Sequence, residues 1–124
     1  MSVEKSPSVL LRDMEGARLP IAVAHGEGRA EFSQAGDAAE LEQAGLIIGR
    51  YLDHAGRPTL HYPENPNGSP GGLTGMTSRD GRVTIMMPHP ERVWRTVQHS
   101  WSPPEWGEDA PWIRLFRNAR SFVG

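Results

Sequence analysis

The chain has no cysteine. That excludes disulfides, a zinc site built on thiolates, and a cysteine nucleophile supplied by this chain. Lysine is almost absent: Lys5 is the only one, and the arginines are scattered. Thirteen cationic side chains stand against 15 acidic ones, a formal charge of −2. Such a chain is a poor match to nucleic acid, whose phosphates favour clustered Lys and Arg. No apolar run approaches the roughly 20 residues that span a bilayer. The first residues lack the charged-then-apolar pattern of a secretion signal. The expectation is a cytoplasmic protein that binds neither membrane nor nucleic acid.

Turn formers are abundant instead. Gly and Pro account for 14 and 11 of the 124 residues, well above their usual combined share of roughly 12%. The apolar content is 37%, so the core is expected to be thin. The length suits one small domain or part of a larger one.

Alternating signals for strands and helices predict a layered α/β architecture over residues 1–124. Ser6-Pro7 before Val9, Leu10, Leu11 and Met14 predicts a short capped helix. The run Pro20 to His25 predicts a buried strand ending at His25-Gly26-Glu27-Gly28. Asp37 with Glu40 forms a D-x-x-E capping pair, and Ala38, Leu41 and Ala44 share one helical face, so a helix is expected from Asp37 to Ala44. Leu46 to Asp53 reads as a strand and His54-Ala55-Gly56 as a turn. Tyr62 to Gly75 holds three prolines and four glycines, the signature of a long irregular loop. Arg79-Asp80-Gly81 marks a tight turn before a strand from Val83 to Met87. Asp109 is positioned to cap a last helix with Trp112, Leu115, Phe116 and Ala119 on its apolar stripe.

Chemistry concentrates at His89-Pro90-Glu91, at the end of a predicted strand. Pro88 and Pro90 stiffen the segment and push His89 out of the helical region. A carboxylate two residues on can accept a proton from one ring nitrogen, set the tautomer and leave the other nitrogen free as a base. That makes two parts of a nucleophile–His–acid triad. A structural or solvent-facing histidine in a non-enzymatic interaction module is the plainer alternative. His25-Gly26-Glu27 is a second H-x-E at a predicted strand end. With His61, His89 and Glu91 it suggests a His/carboxylate metal site and a metal-dependent hydrolase. No pair among them has the spacing of a known site, so the residues as read hold no metal. The zinc deaminase pattern also starts H-x-E but needs later cysteines. Asn65-Pro66-Asn67-Gly68-Ser69-Pro70 either presents amides to a polar ligand or forms a rigid turn. Trp94, Trp101, Trp106 and Trp112 fall within nineteen residues, and such a cluster either packs or marks an interface.

Taken in order, His25-Gly26-Glu27-Gly28-Arg29, Asn65 to Pro70, Met86-Met87-Pro88-His89-Pro90-Glu91-Arg92, Trp106-Gly107-Glu108-Asp109 and Phe116-Arg117-Asn118-Ala119-Arg120 closely resemble the C-terminal end of the phosphoribosylformylglycinamidine synthases of the large single-chain type. The resemblance runs from about Ser6 to Gly124. It implies the C-terminal half of a class I glutamine amidotransferase domain, layered α/β/α and flavodoxin-like, and incomplete. It implies that His89 and Glu91 are the His and Glu of a Cys-His-Glu glutaminase triad. By looser analogy, His25, Gly26 and Glu27 line the glutamine pocket. The whole enzymes of this family use ATP and magnesium and carry ammonia to a synthase domain. No cofactor is expected in this segment.

The chain departs from the family at the nucleophile. In the family the Cys lies well upstream of the His, behind a glycine-rich oxyanion loop. Here 88 residues precede His89 and none is Cys. Both elements are therefore expected before Met1, in the N-terminal part of the same enzyme. The expectation is a segment inactive on glutamine by itself, with strand edges available for self-association.

Overall fold

The computed structural model describes residues 1–124. Four short strands form one sheet: β1 (Ser2–Val3), β2 (Ile47–Arg50), β3 (Leu73–Thr77) and β4 (Thr84–Met86). They lie side by side in chain order and pair antiparallel throughout. Two helices, α1 (Asp37–Gln43) and α2 (Ile113–Val123), accompany the sheet. This is a small α/β fold, and its pairing is not the parallel one of a flavodoxin-like sheet.

Successive residues of a strand point to opposite faces, and β2 uses both. Ile48 enters a core with Val3, Leu11, Met14, Val93, Trp112 and Leu115. Ile47 joins Ala30 and Leu73, with Leu41 of α1 packed against them. One helix thus serves each face. Only 27 of 124 residues are buried, so the core is as thin as the composition suggests.

Several elements differ from the sequence reading. Ser6-Pro7 does not cap a helix; the segment makes one 3₁₀ turn, Val9–Leu11. Ser8 takes the cap position, but its hydroxyl pairs with Thr84 Oγ1 at 2.7 Å instead of the turn's own amides. The run Pro20 to His25 is not a ladder strand; it makes a single bridge, Ala22 to His89. α1 starts where expected, but Gly36 occupies its cap. The Asp37 carboxylate turns back to accept from the Gln34 N–H at 3.0 Å, so no capping box forms. α2 begins after Trp112, not at Asp109. Asp109 is drawn away by a backbone bridge to Arg95 and an ion pair to Arg117 at 2.6 Å. Trp112 and Leu115 are buried on the predicted stripe, whereas Phe116 is exposed.

The expected long loop ends early, because β3 occupies Leu73–Thr77. Its glycine, Gly75, is there for contact between strands. A Cβ on Gly75 would sit 2.3 Å from the Ile85 carbonyl oxygen and 2.7 Å from Met86 Cα. Gly75 lets β4 lie this close, at the expense of the usual sequence signature of a strand. β4 itself forms the sheet edge, with Val83 and Ile85 mostly in water.

Candidate active site

Met87 leaves β4 through its N–H bond to the Thr74 carbonyl, 2.8 Å. Two residues on, the His89 N–H donates to the Ala22 carbonyl at 2.7 Å. This pair of bonds fixes the backbone on both sides of Pro88. His89 then adopts φ −111°, ψ 86°, outside the helical region, and Pro90–Arg92 closes a 3₁₀ turn behind it. The turn carries Glu91 back toward the imidazole. His89 Nδ1 and Glu91 Oε1 are 2.7 Å apart.

Glu91 is acceptor-only when ionised, so Nδ1 carries the proton and donates. Nε2 makes no hydrogen bond within the chain and is free to accept a proton. The imidazole is 30% exposed and the carboxylate 55%, so reagents can reach both.

The Glu91 carboxyl lies below its ordinary value of 4.5. Partial loss of water is the largest influence and pushes it up. Its own backbone N–H, the His89 hydrogen bond and the charges of His89 and Arg92 together outweigh that. A depressed carboxyl contributes stability above its unfolded pKa and loses it as pH falls through the folded value. The stability that Glu91 adds over Glu91→Gln is therefore expected to be lost as pH falls below its ordinary value of 4.5. Urea titrations between pH 3 and pH 7, on the order of one pH unit apart, check this. A difference that already closes above pH 5 or so would remove Glu91 as the ionic partner of His89.

His25, the other predicted site histidine, is held elsewhere. Asn67 Nδ2 contacts His25 Nε2 at 3.0 Å and the Gly28 carbonyl at 2.9 Å. Asn67 Oδ1 accepts from the Ser69 N–H at 3.0 Å and the Ser69 hydroxyl at 2.7 Å. Backbone groups of fixed polarity at both ends orient the amide, so Nδ2 donates to His25 Nε2 and the His25 proton sits on Nδ1. Ser69 Oγ also accepts from the Ala30 N–H at 2.9 Å. The buried Asn65 donates to the Thr59 and Ser69 carbonyls. The N-P-N-G-S segment is therefore a rigid turn whose side chains point inward to tie down residues 25–30. It does not display them to a ligand. Gly26 and Glu27 are exposed at the tip of this run and make no bond to His89 or Glu91.

Three residues at the site escaped the sequence reading. Ala22 acts through its carbonyl alone, which no side-chain motif reveals. Asn67 was legible as a turn residue, but its partner lies 42 positions away. Tyr51 is buried beside this knot. Burial pushes its phenol up to about 12, with Asn67 pulling the other way, yet its hydroxyl makes no well-formed hydrogen bond.

The knot explains the second glycine of H-G-E-G. A Cβ on Gly28 would fall 2.0 Å from the His25 ring, while one on Gly26 would meet nothing within 4 Å. Gly28→Ala is expected to destabilise by about 1–3 kcal/mol by overpacking, and Gly26→Ala to stay within about 0.5 kcal/mol. Equal midpoints for the two variants in chemical denaturation would contradict this packing.

No group of three His, Asp or Glu side chains is assembled that could hold a metal ion. No helix is long and apolar enough to cross a membrane.

What the geometry offers is a proton-accepting imidazole, oriented by a carboxylate, at the end of a strand. A family model for a CobB/CobQ-like glutamine amidotransferase domain matches residues 1–123. The chain therefore belongs to the CobB/CobQ-like glutamine amidotransferase domain family, whose members take nitrogen from the side-chain amide of glutamine.

Proposed function

We propose that this chain supplies the His and Glu of a Cys-His-Glu glutaminase site, and that the site provides ammonia for phosphoribosylformylglycinamidine synthesis. The observation that carries the reading is the 2.7 Å contact of His89 Nδ1 with Glu91 Oε1 beside an unengaged Nε2. The motif order from His25 to Arg120 favours the synthase over other glutamine-using enzymes.

The cysteine comes from polypeptide outside this chain, since the chain has none. His89 Nε2 takes the thiol proton as sulfur attacks the glutamine amide carbon. It delivers that proton to the departing nitrogen, and ammonia leaves from a thioester. Water then attacks the thioester, Nε2 takes its proton, and glutamate and the thiol are restored. Glu91 holds the tautomer and stabilises the imidazolium that forms in each half. The ammonia replaces the formyl-amide oxygen of formylglycinamide ribonucleotide, with ATP going to ADP and phosphate.

In this reading ATP and magnesium act at a synthase site outside this chain. In this reading the Cys-bearing segment would also complete a layered α/β/α domain of the class I type. The edge strand β4, with Val83 and Ile85 uncovered, offers it a place to pair.

Two assays test this. The isolated chain is expected to release no glutamate from glutamine above a His89→Ala control. The polypeptide that joins it to the Cys-bearing segment is expected to release glutamate and consume ATP with formylglycinamide ribonucleotide. Glutamate release by the 124-residue chain alone would sink the reading. In the joined polypeptide, Glu91→Gln keeps an acceptor for Nδ1 but removes its charge, and kcat is expected to fall about 10²–10⁴-fold. An unchanged kcat would take Glu91 out of the site.

A further inference from the structure

The chain passes from one core to the other through the run Pro20 to Ala30. Ile21 and Ala22 pack against the first core, and Ala30 belongs to the second. Between them the backbone is almost unsupported. From Val23 to Arg29 no backbone N–H makes a hydrogen bond within the chain, and Ala24, Gly26, Glu27 and Arg29 lie in water. A stretch with neither a ladder nor apolar cover opens easily unless something else holds it.

One side chain stands in for the ladder. Asn67 Nδ2 donates to His25 Nε2 at 3.0 Å and to the Gly28 carbonyl at 2.9 Å, so a single amide closes the turn from His25 to Gly28 at its base. The amide cannot swing away, because Oδ1 accepts from both the N–H and the hydroxyl of Ser69. At the other end of the run, Trp112 Nε1–H donates to the Pro20 carbonyl at 2.8 Å.

Ala22 lies between these two anchors, and its carbonyl receives the His89 N–H at 2.7 Å. Pro88 and Pro90 have no N–H, so His89 is the one backbone donor between Met87 and Glu91. The place of the imidazole thus follows the place of Ala22. Asn67 grips the chain three residues further on, and a shift of about 1 Å at a catalytic group costs roughly 10²-fold in rate.

We infer that Asn67 is a positioning residue for the glutaminase reaction: through His25 and Gly28 it fixes the run whose Ala22 carbonyl sets His89, and with it the aim of Nε2. This rests on the glutaminase reading above.

The test uses the full polypeptide that carries this chain. Asn67→Asp keeps an oxygen for Ser69 but turns a second oxygen, in place of the donor, toward His25 and the Gly28 carbonyl. Its kcat with glutamine is expected to fall about 10–100-fold, with KM for glutamine within about twofold and ammonium-driven synthesis unchanged, as for a loss confined to the transition state. His25→Ala removes one of the two grips and should give a smaller fall in the same direction. In hydrogen exchange read by mass, the peptide that carries the His89 N–H should exchange about tenfold faster in Asn67→Asp. Asn118→Ala serves as the destabilised control, since that side chain holds the Leu10 and Arg12 carbonyls instead; it should change neither kcat nor this exchange. An unchanged kcat in both Asn67→Asp and His25→Ala overturns the inference. So does a rise in KM alone, a loss shared equally by glutamine and ammonium, or the same fall in Asn118→Ala. If the unaltered polypeptide releases no glutamate, the glutaminase reading has failed and the role in catalysis falls with it. The exchange rate is read without that activity, and an unchanged rate in Asn67→Asp overturns the link from Asn67 to His89 by itself.

Discussion

If the proposed triad holds, replacing His89 by Ala in a polypeptide that joins this chain to a Cys-bearing segment is expected to lower glutamine-dependent turnover by about four orders of magnitude or more, as for loss of a triad base. The ring presents an unengaged Nε2, with Nδ1 committed to Glu91. In the proposed triad, its loss would leave the thiol without a base on attack and the departing nitrogen without a proton donor. Synthesis driven by an ammonium salt should be unaffected, because that route bypasses the amide. His89→Gln gives no rescue: an amide can hydrogen-bond but cannot take up the proton. Measuring both nitrogen sources in one preparation separates chemistry from folding. Equal losses with glutamine and with ammonium would mean that His89 is structural.

Trp112→Ala carries the largest expected effect on stability. The indole is fully buried against Val3, Ile48 and Leu115, and its Nε1–H donates to the Pro20 carbonyl at 2.8 Å. Truncating a buried Trp costs about 3–5 kcal/mol, a large share of the roughly 5–15 kcal/mol of an ordinary domain. The melting temperature should fall by about 10–30 °C. Trp112→Phe keeps most of the apolar volume but orphans the Pro20 carbonyl, for about 1–3 kcal/mol. Pro20 lies two residues from Ala22, whose carbonyl holds the His89 N–H. Trp112→Phe should therefore also disturb the site, lowering kcat for glutamine more than kcat for ammonium. A melting temperature within about 3 °C of wild type for Trp112→Ala would show that the indole does not anchor this core.

Elements whose own residues settle their conformation were legible. α1 falls on the predicted stretch because Leu41 supplies its inward side and Gly45 ends it. The turn at residues 53–57 is written in Asp53, whose carboxylate accepts from the Ala55 and Arg57 amides at 2.8 and 2.9 Å. The strand before His89 is apolar and β-branched enough to stand out, although it proved to be an edge. β3 was not legible. Its one glycine, Gly75, signals a loop in isolation and acquires its meaning only when β4 lies against it. The predicted strand from Pro20 to His25 failed for the complementary reason. Its residues suit a ladder, but only Ala22 finds a partner, and the rest of the run is held by side chains from Asn67, Ser69 and Trp112.

By itself the sequence determined membership of a glutamine amidotransferase family, the absence of cysteine, and the His89–Glu91 pair, since prolines on both sides of a histidine restrict a few torsions locally. Only the tertiary structure decided that the imidazole is held through the Ala22 carbonyl, that His25 belongs to a structural knot, and that Trp101 is left uncovered while Trp112 is enclosed. Those outcomes depend on contacts between residues tens of positions apart. Such contacts exist only once hydrophobic burial has closed the chain on itself, and nothing in the local spacing of residues encodes them.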